Sequence, residues 1–315
     1  MSIAIGYVPG AFGQGGDDPG YLRHLVELGD SFGYDSIWLS DRIVSDRFSL
    51  EPMVALSMIA GYSDRLKFGT SVLALPLRNP TVLAKEIATL DFLSGGRVLP
   101  AVGLGTEDER EFEACGSPKR QRGGRTDEAI EVMKLLWSQD NVTFHGKYYT
   151  LNDVTIQPKP VQKDLPPMWI GGRSEAAIQR TARIGDGWLV SQATPDEVAD
   201  GVARIKVGAL EHGNEIEDDH YGVLFSYFIA DTPEEAAKQA APYMLRRRTD
   251  VDYAEFSAFG TPDHVSQLME RYIDAGAPKI VVRPACAPEL MMEQLELLGK
   301  EVVPHYHGKK EATVA

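Results

Sequence analysis

Cysteine is scarce in this chain: Cys115 and Cys286 are the only two in 315 residues. Two thiols supply neither a disulfide framework nor a cysteine-based metal site, and they read as unlinked thiols in a reducing compartment. No run of about 18 apolar residues occurs, so no membrane-spanning helix is expected. The opening Met1-Ser2-Ile3-Ala4 brings no basic stretch followed by a long apolar one, so no signal peptide is read and the cytoplasm is the default location. Positive charge is short as well. Lys and Arg number 32 against 46 Asp and Glu, a formal net charge of −14. That balance argues against nucleic acid, whose phosphates need basic partners, and against anionic membrane surfaces. The Gly-rich dinucleotide turn is missing too: the first apolar run is followed by Val8-Pro9-Gly10-Ala11-Phe12-Gly13, not G-x-G-x-x-G.

What is present is alternation. Apolar runs at 3–8, 35–39, 66–73, 97–103, 168–171, 187–191, 223–229 and 279–283 are separated by amphipathic stretches. Most of these runs are continuously apolar, as strands buried on both faces of a parallel sheet should be. Asn79-Pro80, Thr194-Pro195, Thr232-Pro233 and Thr261-Pro262 each read as an N-cap followed by a first-turn proline. Thr232 and Glu235 have capping-box spacing. Val265, Leu268, Met269, Tyr272 and Ile273 repeat at helical spacing before Gly276 stops the helix. Leu22, Leu25, Val26 and Phe32 do the same before Gly33. Eight strand–helix repeats predict an α/β fold, a (β/α)8 barrel, for which about 250 residues suffice. An open doubly wound sheet is the less favoured alternative.

Residues 1–304 are expected to form the single barrel domain, with 305–315 a polar, frayed tail. His305 and His307 alone are too few for a metal site, and no metal is expected. Two insertions are expected, between strands four and five and after strand seven. The first carries a helix near 124–138, a hairpin over 142–150 turning at His145-Gly146, and the run Gln157-Pro158-Lys159-Pro160, and is expected near the barrel mouth. The second, 231–260, carries a helix and Arg246-Arg247-Arg248-Thr249-Asp250, which reads as a solvated helix face.

Four segments together resemble the luciferase-like monooxygenase family. They are Gly33-Tyr34-Asp35-Ser36-Ile37-Trp38-Leu39-Ser40-Asp41; Lys67 to Val72 with Pro76 to Pro80 and Leu93-Ser94-Gly95-Gly96-Arg97; Trp169 to Ser174 with Arg183 to Trp188; and Gly260-Thr261-Pro262 with Ala275-Gly276. The resemblance implies a (β/α)8 barrel with its active site at the C-terminal strand ends, which barrel physics also favours. It implies a cofactor, either FMN or the deazaflavin coenzyme F420, and a homodimer.

Candidate site residues follow. Ile170-Gly171-Gly172-Arg173-Ser174 joins a strand to a helix. Gly171 and Gly172 would let backbone N–H groups approach an anion and Arg173 would add charge, while Ser174 also suits a plain N-cap. With the resemblance, these four residues become candidates for cofactor phosphate. The resemblance also implies a bulge with a cis peptide at Ser71-Val72 behind the cofactor ring, and room for that ring at Gly103 and Gly105. In deazaflavin relatives the second strand ends in a Ser-Asp-His pattern with a catalytic His; here Arg42 stands in that place. Arginine cannot exchange protons near neutral pH but can anchor an anion. Asp41 or Glu107 is then the candidate proton carrier, and an Asp41–Arg42 pair organising the loop is the alternative. Some relatives have a catalytic Glu where Thr106 stands. Tyr7, Trp188 and Arg283 are candidates for the substrate pocket. The expected function is F420-dependent hydride transfer to or from a small organic substrate. The alternatives are an FMN-dependent monooxygenase fed by a separate flavin reductase, and a flavin-binding barrel without turnover.

Overall fold

A computed structural model of the chain describes residues 3–9, 18–46, 48–244 and 248–307. Gly10 to Gly13, Arg246, Arg247 and residues 308–315 lie outside the described residues. The apolar runs become the parallel strands β1 (Ala4–Tyr7), β2 (Ser36–Leu39), β3 (Lys67–Thr70), β4 (Leu73–Ala74), β5 (Val98–Leu99) and β6 (Ala101–Gly103). A hairpin, β7 (Val142–His145) and β8 (Thr150–Val154), precedes β9 (Trp169–Gly171), β10 (Gly187–Ser191), β11 (Tyr221–Ile229), β12 (Ser257–Gly260) and β13 (Lys279–Pro284). The helices are α1 (Tyr21–Ser31), α2 (Pro52–Tyr62), α3 (Pro80–Ser94), α4 (Glu109–Ala114), α5 (Arg122–Ser138), α6 (Glu175–Ile184), α7 (Pro195–His212), α8 (Pro233–Ala240), α9 (Pro262–Asp274) and α10 (Met291–Glu301).

The pairing order is β4-β6-β9-β10-β11-β13-β1-β2-β3-β5. β3 and β4 are the two halves of the third barrel strand, and β5 and β6 those of the fourth. Since β3 pairs with β5 and β4 with β6, the two ends of the path are the same two strands and the sheet closes on itself. Thr70 bridges the joint: its hydroxyl donates to the Ala101 carbonyl (2.6 Å) and accepts from the Ala101 N–H (3.0 Å). The two-residue period of the strands then sorts the side chains. Trp38, Ala101, Trp169, Leu189 and Val281, with Val8, fill the barrel interior. Their sequence neighbours face outward and join the helices in a second, larger core.

The expected caps form. Asn79 accepts from Thr81 and Val82 N–H, and Thr232 from Glu235 N–H. The complete capping box, however, is at Thr194 and Glu197, and Thr261 makes no side-chain cap because its hydroxyl meets His264 instead. The apolar stripe of α9, Val265 to Ile273, is buried as its spacing requires. α2 departs from amphipathic design: Val54 (66% exposed) and Met58 (43%) face outward, as does Val82 (56%) on α3. Among the described residues no helix is long and apolar enough to cross a membrane.

Four expectations need correction. The interval 231–260 also contains β12, which extends the sheet beside β11; Ser-Ala-Phe-Gly is too short to stand out in sequence. The first insertion reaches the mouth only in part, with α4 and the start of α5 lying there through Glu111 and Arg122. Its hairpin lies along α5, where Glu128 accepts from Lys147, Tyr148 and Tyr149 N–H. Arg248 is no solvated helix residue: its side chain is 1% exposed, and it bonds Glu197, Asp250 and the Gln192 carbonyl. The tail does not fray at His305. Tyr306 is buried, and His307 Nε2 donates to the Gly33 carbonyl.

At the N-terminal end of the barrel, buried Lys279 donates to Asp35 beneath Trp38. Burial would raise the Asp35 carboxyl, but Lys279 and then Lys67 outweigh it and hold it well below the usual range. A depressed folded value stabilises the protein above the unfolded carboxyl pKa of about 4, and the gain is lost as pH falls through the folded value. Asp35→Asn should therefore cost about 3 kcal/mol at pH 7 by stranding a buried ammonium. Urea unfolding at pH 7 and pH 3 should show the gap between wild type and variant narrowing in acid. An unchanged gap would count against this role.

Candidate active site at the C-terminal mouth of the barrel

Asp41 follows β2 and is 7% exposed. Its carboxylate accepts from Ala74 N–H (2.9 Å) and from two nitrogens of Arg78 (2.9 and 3.4 Å). Arg78 pairs in turn with Glu51, which caps α2 through Val54 N–H. Burial pushes the Asp41 carboxyl above its ordinary value, against the pull of Arg78 and Ala74. This network ties the end of β2 to β4 and to the start of α2. It uses both carboxylate oxygens, which suits positioning better than proton transfer.

The Ser71–Val72 peptide is cis. The Val72 side chain fills the gaps left by two glycines: a Cβ at Gly103 or at Gly171 would each stand 2.6 Å from a Val72 methyl. Those glycines therefore seat Val72, which in turn forms part of the mouth floor. Gly105 takes a left-handed backbone (φ 77°) beside Phe112 and Ala74. Ser71 Oγ is buried and has no hydrogen-bond partner among the described residues.

Beyond β9 the turn Gly172-Arg173-Ser174 is exposed, with Gly172 at φ 118°, a conformation side chains resist. Ser174 caps α6, accepting from Ala177 N–H. The first-turn N–H groups of Glu175 and Ala176 have no acceptor within the helix and open toward solvent. Arg173 makes no hydrogen bond to a described residue and lies within the electrostatic reach of Glu197 and Asp250. The plain N-cap and an anion-accepting turn are thus compatible here. Trp188 supports the turn from behind, its indole N–H donating to the Gly172 carbonyl (2.8 Å).

Two pocket candidates fall on the wrong side of their strands. Tyr7 donates to the Leu25 carbonyl of α1 and packs on Tyr34, so it belongs to the helix layer and not the pocket. Trp188 packs on Gly201 of α7, also outside the barrel. Both are at outward positions of the two-residue alternation. Arg283 bonds Ser226 of β11 and the Tyr243 carbonyl of the second insertion. Glu107 is 78% exposed, bound to Arg122 and Lys119, and held below the usual carboxylate range first by Arg122 and then by Lys119. It faces solvent and does not fit the role of proton carrier.

The acid that faces inward is Glu111, which no motif in the sequence marks. Its side chain is 1% exposed. It accepts from Ile43 N–H (2.8 Å), Val44 N–H (3.3 Å) and Thr106 Oγ1 (3.1 Å), and stands 3.6 Å from Arg42 Nη1. Its only sequence signal is its place beside Phe112 on the buried face of α4, which Asp108 caps. The expected Asp41–Arg42 pair is therefore replaced by Asp41–Arg78 and Arg42–Glu111. Glu217, Asp219 and His220 bring potential ligand atoms within 4.8 Å of one another, but at the opposite end of the barrel, ahead of β11.

Comparison with known proteins gives this geometry a setting. The family model of the luciferase-like monooxygenases matches residues 2–258. An F420-dependent glucose-6-phosphate dehydrogenase of Kineococcus radiotolerans is 34% identical over 179 residues, 54% of this chain and 52% of that protein. An FMNH2-dependent dimethylsulfone monooxygenase of Pseudomonas putida is 30% identical over 226 residues, 70% of this chain and 61% of that protein. The chain thus spans about half to three fifths of these two relatives. The solved coenzyme F420-dependent tetrahydromethanopterin reductase of Methanopyrus kandleri aligns over 97% of this chain and all of that one, with a TM-score of 0.76 at 22% identity.

The seating of Val72 makes a stability prediction. Gly171→Ala should cost about 1–3 kcal/mol by overpacking. Val72→Ala in the same chain should recover much of that cost, giving a coupling above about 0.5 kcal/mol in a double-mutant cycle of denaturant unfolding. Additive effects would contradict the contact.

Proposed function

The chain belongs to the luciferase-like monooxygenase family, and from that premise we propose that it is a coenzyme F420-dependent oxidoreductase, acting on a small organic substrate at the barrel mouth. The observation that supports a phosphate-bearing cofactor here is the open turn Gly171 to Ser174, where a helix N-terminus, first-turn N–H groups without an acceptor in the helix and Arg173 suit a phosphate. Ser71 Oγ, buried and without a partner among the described residues, suits a polar ring edge beside the Val72 floor. When bound, a deazaflavin supplies hydride transfer, while the protein supplies position and electrostatics. Asp41 acts here as a positioning residue, and Arg42 supplies positive charge where negative charge develops.

The second reading is an FMN-dependent monooxygenase with a separate reductase partner. Its support is the dimethylsulfone monooxygenase, which matches more of this chain than the F420-dependent dehydrogenase does. The two free thiols fit the cytoplasm as the place of action. The outward apolar residues of α2 fit a homodimer.

Fluorescence titration with F420 and with FMN separates the readings. F420 should bind at least about tenfold more tightly than FMN, and Arg173→Ala should weaken it about tenfold by removing a charge-assisted contact. Preference for FMN would move the assignment to the monooxygenase. Binding of neither would favour a barrel without turnover. Light scattering should give a dimer that Met58→Glu weakens; a monomeric wild type would contradict the dimer.

A further inference from the structure

The arginines around the mouth are of two kinds. Arg78 is taken up by Asp41 and Glu51, Arg248 by Glu197 and Asp250, Arg122 by Glu107 and the Thr106 carbonyl, and Arg283 by Ser226 and the Tyr243 carbonyl. Arg42 and Arg173 instead donate no hydrogen bond to any described residue. Arg173 sits at the helix turn already assigned to cofactor phosphate. Arg42 stands across the mouth from it in chain topology, past the end of β2 and next to Asp41.

Arg42 is held but not consumed. Its Nη1 is buried and without a hydrogen-bond partner among the described residues, 3.6 Å from Glu111 Oε2, too far for a hydrogen bond. The side chain as a whole is 36% exposed. Since Nη1 contributes almost none of that area, the exposed part is the rest of the fork and its stem. Glu111, meanwhile, is occupied by the backbone of the same loop at Ile43 and Val44 and by Thr106. The carboxylate thus fixes the loop and draws one nitrogen inward, while the remaining donors, within the electrostatic reach of Asp108, form no hydrogen bond to a described residue. A planar guanidinium with open donors recognises a carboxylate or phosphate oxygen pair.

We infer that Arg42 is a substrate-recognition residue, that Glu111 is the positioning residue that presents it, and that the substrate carries an anionic group, a carboxylate or a phosphate. The inference rests on the barrel mouth being the active site, as proposed above. A guanidinium does not give up its proton near neutral pH, so Arg42 binds and orients and does not exchange a proton.

The test uses the purified protein, with and without added cofactor, and matched probes that differ in charge: benzoate with benzamide, hexanoate with hexanamide, and phenyl phosphate with phenol, measured by calorimetry. At least one anion should bind about tenfold or more tightly than its neutral partner, the scale of one charge-assisted contact. Arg42→Ala should abolish that preference and Arg42→Lys should keep part of it. Glu111→Gln should reduce the preference several-fold while leaving affinity for the neutral probe and for the cofactor as in wild type, a pattern that a merely structural role would not produce. A wild type that prefers no anion, or an Arg42→Ala variant that keeps the preference, overturns the proposal. The cofactor titration is read separately, so failure to take up F420 or FMN tells against the proposed function and not against this assignment.

Discussion

Val72 occupies volume that two absent side chains leave open, and the mouth of the barrel is organised around that exchange. Gly103 on the fourth barrel strand and Gly171 on the fifth both face it, each too close to accept even a methyl group. The third strand is interrupted there, so β4 must be caught again beyond the break. Asp41 does this by accepting the Ala74 N–H, and Arg78 fixes Asp41 in return. One steric contact and one buried ion pair thus align the ends of four strands. Dense interiors transmit such constraints because they lack slack to absorb them. The turn at Gly171 to Ser174 begins at one of the glycines that seats Val72, so the proposed phosphate site and the floor share a residue.

Charge is organised with similar economy. A chain with net charge −14 nonetheless places several arginines around one opening. Most are neutralised locally: Arg248 clasps the loop after β11 onto α7, and Arg78 locks the loop after β2. Such pairs shape the mouth without offering anything to a ligand. The distinction between a spent and an available guanidinium decides function here, and residue type alone does not reveal it.

That is also where the sequence was least legible. The barrel could be read because the runs of apolar residues, the Asn79 and Thr232 caps and the α9 stripe are local signals that tertiary packing reinforces. The cis bulge at Ser71–Val72 came from family resemblance, since no local pattern encodes it. Tyr7 and Trp188 cannot be assigned to a face from sequence because a continuously apolar strand does not show which alternate side chains face inward. Glu107 and Glu111 are four residues apart on one acidic stretch, and only the start of α4 at Glu109, with Phe112 buried, turns one outward and the other in. The burial of Arg248 is invisible in sequence because its partners Glu197 and Gln192 are distant along the chain.

The most direct test of this account is a crystal structure of the chain with F420 bound. The cofactor phosphate is expected on the N–H groups of the Gly171 to Ser174 turn, with Arg173 beside it and the ring against Val72. A phosphate held elsewhere, or a ring on another part of the barrel with Val72 untouched, would contradict it.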